Sequence, residues 1–390
     1  LKYRAIIMVA ALSLSGLIAY SQQALWGGEE IISPEINENK AVTFRLSAPD
    51  ATEVKITGDW MPVEGWVPGT VVMKRDEKGT WIHSTDSLEP EIYSYTFLVD
   101  GLRVNDPNNA FLSRDISTNT NIFLIEGGQA DLYKVNDVPH GSVTRRWYNS
   151  PGLEMNRRIT IYTPPGYEST QEIYPVLYLL HGAGGDEEAW MELGRASQIM
   201  DNLIAQGKAR AMILVMPNGN VSQEAAPGES TRGYYKPQFM IPGTMNGKYE
   251  ESFMDIVNFV EANYRVRADK ASRAVAGLSM GGFHALHISR YYPNAFDYVG
   301  LFSAAIMPPQ DASSKVYDDI DGTLKTQMEN GYKLYWIAIG KTDFLHKNVA
   351  EYRKKLDAMG MSYTYRESEE GHIWKNWRIY LSEFVPQLFN

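Results

Sequence analysis

Four apolar runs constrain this chain more than any other feature in it. They are Val176-Leu177-Tyr178-Leu179-Leu180, Ala211-Met212-Ile213-Leu214-Val215-Met216, Ala274-Val275-Ala276 and Leu334-Tyr335-Trp336-Ile337-Ala338-Ile339. None contains a charged residue. A strand with one wet face alternates apolar and polar side chains, whereas an unbroken apolar strand must be buried on both faces. Stretches of helical character at 188–206, 253–264, 280–291 and 349–359 lie between and after these runs. Such alternation implies a mainly parallel sheet with helices on both faces. Arg158-Ile159-Thr160-Ile161-Tyr162, stopped by Pro164-Pro165-Gly166, reads as another strand. So do 299–303 and 362–366, and a closing helix is expected from about Lys375.

Residues 42–125 follow a different rule. Ala41-Val42-Thr43-Phe44-Arg45-Leu46, Val54-Lys55-Ile56-Thr57, Thr80-Trp81-Ile82-His83-Ser84 and 92–99 have a two-residue period, and Asp100-Gly101 supplies a tight turn. Short strands with no helical pattern between them indicate an all-β sandwich. The expected organisation is a sheet domain over 27–128, a linker over 129–138 beginning in Gly127-Gly128-Gln129-Ala130-Asp131, and an α/β domain over 139–390. A chain of 390 residues suits two or three domains.

Ahead of these, Lys2 and Arg4 precede an apolar run over 5–19 that ends in Ala19-Tyr20-Ser21. This is the pattern of an export signal over 1–21, cleaved before Gln22. The run is shorter than the roughly 20 residues needed to span a bilayer. The expectation is an exported protein, periplasmic or extracellular, with no membrane span once the signal is removed. Composition excludes several classes. The absence of cysteine rules out disulfide scaffolds, thiol catalysis and thiolate metal sites. A net charge of −10 argues against a nucleic-acid partner, because that binding relies on clustered Lys and Arg.

The chemistry is expected at Gly277-Leu278-Ser279-Met280-Gly281. This G-x-S-x-G pattern lies between an apolar strand and a helix-forming run, the context in which a sharp turn exposes a serine nucleophile. A serine needs a base and the base an orienting acid, and on such a sheet they follow in the order Ser, acid, His. Of the later histidines, His284 and His287 fall on the adjoining helix and His346 is too near the acid candidate. His372, in Glu370-Gly371-His372-Ile373-Trp374, is the expected base. Asp343 follows the 334–339 strand directly and is the expected acid, with Asp311 as a distant alternative after an earlier strand. The oxyanion donors are expected to be the Met280 amide and, from His181-Gly182-Ala183-Gly184-Gly185, that of Ala183, with Gly182 second. This chemistry needs no metal and no organic cofactor.

Leu180-His181-Gly182, Asp186 to Trp190, 277–282, Asp343-Phe344-Leu345 and Gly371-His372-Ile373-Trp374-Lys375-Asn376-Trp377 together resemble the family-one carbohydrate esterases. These include feruloyl and acetyl-xylan esterases. The resemblance covers roughly 140–390 and implies an α/β-hydrolase fold, a triad of Ser279, Asp343 and His372, and plant cell-wall xylan as substrate. Isoleucine at 373, where threonine is common, departs from the pattern without touching the triad. Gly58-Asp59-Trp60, Gly79-Thr80-Trp81, Tyr93-Ser94-Tyr95, Val99-Asp100-Gly101 and Asp106-Pro107-Asn108 resemble the family-48 immunoglobulin-like carbohydrate-binding module. That implies glycan contact through Trp60, Trp66 or Trp81, or else packing by the same aromatics. The turn-rich stretch 217–249, with Tyr234, Tyr235, Phe239 and Met240, is long enough to wall an acyl pocket. Tyr234, Tyr235, Phe239 and Trp374 are the expected substrate contacts. The favoured partner is a feruloylated or acetylated xylan oligosaccharide or another small acyl ester. An enterochelin-type siderophore esterase, which also places a sandwich before a similar hydrolase, and a glycan-binding protein with an inactive esterase fold are the alternatives.

Overall fold

Alternate residues of the apolar runs point to opposite faces of one sheet, and each face carries its own core. The computed structural model describes residues 31–64, 67–232 and 236–390. The expected export signal, Trp66, Tyr234 and Tyr235 lie outside the described residues. The large sheet contains β1 (Ser142–Ser150), β2 (Met155–Thr163), β3 (Val176–Leu180), β4 (Ile213–Pro217), β5 (Arg273–Leu278), β6 (Tyr298–Phe302), β7 (Leu334–Gly340) and β8 (Thr364–Ser368). Their order is β1-β2-β4-β3-β5-β6-β7-β8. The strands from β4 to β8 in that order run parallel, and β1 and β2 join antiparallel at one edge.

Eight helices among the described residues dress this sheet: α1 (Ala189–Glu192), α2 (Ala196–Ala205), α3 (Lys248–Glu251), α4 (Phe253–Asn263), α5 (Met280–Tyr291), α6 (Ile320–Glu329), α7 (His346–Met359) and α8 (Trp374–Phe384). On one face Tyr178, Leu180, Val275 and Ile337 pack against Phe253, Val257, Ile288 and Leu356 of α4, α5 and α7. On the other, Leu177, Leu179, Ala276 and Trp336 meet Ile199, Leu203, Tyr380 and Phe384 of α2 and α8. Two elements differ from the sequence expectation. The single helix expected over 188–206 is broken at Gly194 and Arg195, where Arg195 takes φ 53° and donates from Nε to Tyr133 O at 2.9 Å. Residues 320–329, for which no element was expected, form helix α6, whose first turn is capped by Asp319 Oδ1 accepting from Gly322 N–H at 3.1 Å.

The described N-terminal residues form two larger antiparallel sheets around a shared core, with a two-stranded ribbon of Val63–Glu64 and Val67–Pro68 beside them. Val42–Ser47 and Thr80–Ser84 pair in one sheet, while Val54–Gly58, Ile92–Val99 and Thr118–Leu124 are consecutive neighbours in the other. Asp100 (φ 47°) and Gly101 (φ 86°) make the expected two-residue turn, whose twist requires both to be left-handed. Trp81 is buried here, with its indole N–H donating to Ala48 O at 2.9 Å, and Trp60 stacks on Phe44 at 5.4 Å. Trp60 and Trp81 thus pack within this core, the second of the two roles left open for them.

The segment read as a linker is packed rather than loose. Gly128–Leu132 forms a 3-10 turn, and Ala130 and Tyr133 join the α2–α8 core together with Ile92 and Ile122 of the sheet unit. A buried ion pair crosses the same junction. Arg378 of α8 donates from Nε and Nη2 to Glu91 Oε1 at 3.1 and 2.9 Å, and both residues are 4% exposed. Removing one member of such a pair strands a buried charge. Glu91→Ala should destabilise the protein by about 3–5 kcal/mol, read as a fall in Tm by calorimetry. Among the described residues no helix is long and apolar enough to cross a membrane.

Candidate active site

The turn after β5 is crowded to the point that only glycine fits on either side of Ser279. A Cβ on Gly281 would collide with the carbonyls of Leu180 and His181, and one on Gly277 with the Gly281 backbone. Between them Ser279 is held at φ 53° and ψ −114°, a region a non-glycine residue seldom adopts. Its N–H donates to Phe302 O at 2.9 Å, and its carbonyl accepts from Phe283 at 3.0 Å and Ala305 at 3.1 Å. The serine backbone is thus pinned by β6 and by the first turn of α5. Met280 is the first residue of α5, so its N–H has no acceptor within the helix.

Asp343 and His372 stand beyond the carboxyl ends of β7 and β8, and the fold brings them into contact. His372 Nδ1 lies 2.9 Å from Asp343 Oδ2. The other carboxylate oxygen accepts from Leu345 N–H at 2.9 Å, which fixes the group in its buried position. With a carboxylate on Nδ1, the imidazole carries its proton there and leaves the Nε2 lone pair available. Phe344 and Trp377 flank the ring at 4.5 and 4.9 Å, and Asn376 Nδ2 donates to Gly371 O at 2.8 Å to hold the loop. The remaining late histidines are engaged elsewhere: His284 Nδ1 with Glu250 at 2.8 Å, His287 Nε2 with Ile306 O at 3.2 Å and His346 with Glu367 at 3.0 Å. Asp311 is exposed.

The loop carrying Gly182 and Ala183 follows β3 and lies against the serine turn. A Cβ on Gly182 would sit 3.3 Å from Ser279 Cβ. Its anchor is His181, whose role sequence reasoning had missed. His181 Nε2 accepts from Gly219 N–H at 2.7 Å, and Nδ1 lies 2.7 Å from Gly182 O. Both bonds form only if the ring is neutral with its proton on Nδ1. Burial pushes the His181 pKa down to about 4.

Of the expected substrate contacts, Phe239 is exposed and Trp374 is half-buried, edge-on to Trp190 at 5.4 Å and to Trp377 at 5.1 Å. The start of the 217–249 stretch is pinned by the fully buried Arg157, which donates to Asn218 O at 2.8 Å and Asn220 O at 2.7 Å. Among the described residues no group of three or more His, Asp or Glu side chains is placed to hold a metal ion.

The model of the esterase family matches residues 150–388, which take in the serine turn, the Asp343–His372 pair and the loop after β3. The chain belongs to this esterase family. A relative in Xylanibacter ruminicola, an endo-1,4-β-xylanase/feruloyl esterase, is 31% identical over 71% of this chain, and the chain spans only 37% of that protein's length. Among solved structures, a ferulic acid esterase from Anaeromyces mucronatus in complex with ferulic acid is similar at TM-score 0.55 and 22% identity, covering 73% of this chain and 98% of that one. The enterobactin esterase of Shigella flexneri is similar at TM-score 0.59 and 16% identity, covering 90% and 93%. Likeness at these identities is likeness of fold, and the fold of the large sheet and its helices is of the α/β-hydrolase type.

The neutral His181 has a consequence for acid stability. An unfolded chain takes up the proton near pH 6.5 and the folded one only near 4, so folding is penalised as pH falls through that window. The protein should lose of order 3 kcal/mol from this residue between pH 6.5 and 4, read by urea unfolding. His181→Asn should show a shallower loss over the same range.

Proposed function

We propose that the esterase cleaves hydroxycinnamate esters, feruloyl esters foremost, from plant cell-wall xylan through a covalent acyl-enzyme on Ser279. The observation that carries the mechanism is the 2.9 Å contact between the buried Asp343 and the half-buried His372, on the edge that also presents the strained Ser279. The substrate reading draws support from the feruloyl esterase relative. The N-terminal unit, with its two facing antiparallel sheets, is read in the same proposal as an immunoglobulin-like module.

Each step follows from the chemistry of these groups. His372 Nε2 accepts the Ser279 hydroxyl proton while Oγ attacks the ester carbonyl carbon. The carbonyl electron pair moves onto oxygen, where the amides of Ala183 and Met280 receive it. Asp343 keeps the imidazole in the required tautomer and offsets the charge it gains. As the carbonyl re-forms, the sugar alcohol leaves and takes its proton from His372. Water, deprotonated by His372, then attacks the acyl carbon, and the bond to Ser279 Oγ breaks as Oγ takes that proton back from His372, releasing the acid. A lost oxyanion donor typically lowers kcat about 100- to 1,000-fold, so the loop after β3 matters to the rate as well as the triad.

An enterobactin-type activity is the second reading, favoured because that structural likeness spans 90% of the chain and so includes the N-terminal unit. The test is release of ferulic acid from methyl ferulate and from feruloylated arabinoxylan. Both should be cleaved, and Ser279→Ala should lower the rate by about 1,000-fold or more. Cleavage of 4-nitrophenyl acetate alone would move the substrate to acetylated xylan, and cleavage of a catechol-siderophore lactone alone to the second reading.

A further inference from the structure

The N-terminal unit reaches the loop after β3 through one hairpin. Strands Leu112–Asp115 and Thr118–Leu124 pair antiparallel and are joined at Ile116 and Ser117. Ile116 stands at φ 53°, a backbone conformation that a β-branched side chain seldom adopts. Strain of this kind persists only where the surroundings over-determine it, and it tends to gather at working sites.

Those surroundings belong to the hydrolase unit. A Cβ on Gly184 would come within 2.6 Å of Ile116 Cγ1, so the isoleucine lies flat against the Gly184 backbone. Arg114 donates from Nη1 to Ile116 O at 3.0 Å and pairs through Nη2 with Asp186 Oδ2. Asp186 is 3% exposed, and its Oδ1 accepts from Glu188 N–H at 3.0 Å. One guanidinium therefore ties the hairpin tip to the residue that closes the loop 181–185. His181 holds the opposite end, and Asn220 Nδ2 donates to Gly185 O at 2.8 Å. Ala183 lies between the His181 anchor and the surface that Ile116 presses.

We propose that Arg114 and Ile116 are positioning residues: the hairpin of the N-terminal unit sets the direction of the Ala183 N–H. The proposal rests on the reading of Ala183 as an oxyanion donor. Such a donor acts on charge that develops in the transition state, so misplacing it lowers kcat and leaves KM nearly unchanged. The sheet unit then contributes to the rate of ester cleavage itself, on small and large esters alike.

The test is steady-state kinetics on 4-nitrophenyl acetate and methyl ferulate, with Tm measured alongside, for the wild type, Ile116→Gly, Arg114→Gln and Ser279→Ala. Glycine adopts the left-handed conformation without strain while deleting the contact, so Ile116→Gly should keep the turn and remain folded. Its kcat should fall about 10-fold on both esters, short of the loss of a whole donor, with KM within about two-fold. Arg114→Gln should shift kcat the same way, and the double variant should fall by less than the product of the two. A kcat for Ile116→Gly within about two-fold of wild type on both esters would overturn the proposal. So would a change confined to KM for methyl ferulate, which would make the hairpin a wall of the substrate site. Ser279→Ala separates the two claims. An active Ser279→Ala would sink the serine mechanism, whereas a dead one beside an unaffected Ile116→Gly would remove only the hairpin's role.

Discussion

The backbone of Ser279 occupies a conformation that costs free energy, and the neighbouring packing leaves it no alternative. Gly277 and Gly281 sit so close to each other, and Gly281 to the carbonyls of Leu180 and His181, that neither can carry a side chain. β5 can therefore pass into α5 without an intervening loop. This places the serine at the carboxyl edge of the sheet with the first amide of α5 beside it. The loop after β3 must come equally near, which is why it is glycine-rich and why His181 is buried and neutral beneath it. The strain at one residue thus dictates the residue types of two neighbouring segments.

Much of this was legible in the sequence because it depends on burial and on chain order. The unbroken apolar runs could only be central strands, and Val176–Leu180 has the bounds they implied. Asp343 and His372 were singled out by where they follow strands, and in the structure they lie 2.9 Å apart. Features that depend on contacts between distant segments were not legible. The break at Arg195 is stabilised by the Tyr133 carbonyl, a partner that no local pattern announces. Strand β1 is a largely exposed edge strand, and helix α6 buries little more than Leu324 and Gln327, so neither has an apolar period strong enough to read.

The hairpin tip is the clearest case. Asp115-Ile116-Ser117 contains no glycine or asparagine to mark a left-handed residue, yet Ile116 adopts one. The conformation makes sense only once Gly184 and Asp186 are in place against it. The same holds for Glu91 and Arg378, far apart in sequence and paired where α8 meets the sheet unit. Through these contacts the N-terminal sheets share a core with the hydrolase fold and touch the loop beside the serine. The two halves of the chain are physically continuous at the site.

The central claim is that Ser279 is the nucleophile of an ester hydrolase, and it can be tested on the protein directly. A fluorophosphonate reacts irreversibly with a serine only where a base has activated it. After brief exposure of the intact enzyme, peptide mass spectrometry should find one phosphonyl group per chain, on the peptide carrying Ser279. Ester hydrolysis should disappear in proportion to that label. A label on another residue accompanied by loss of activity, or full labelling of Ser279 with hydrolysis intact, would contradict the account.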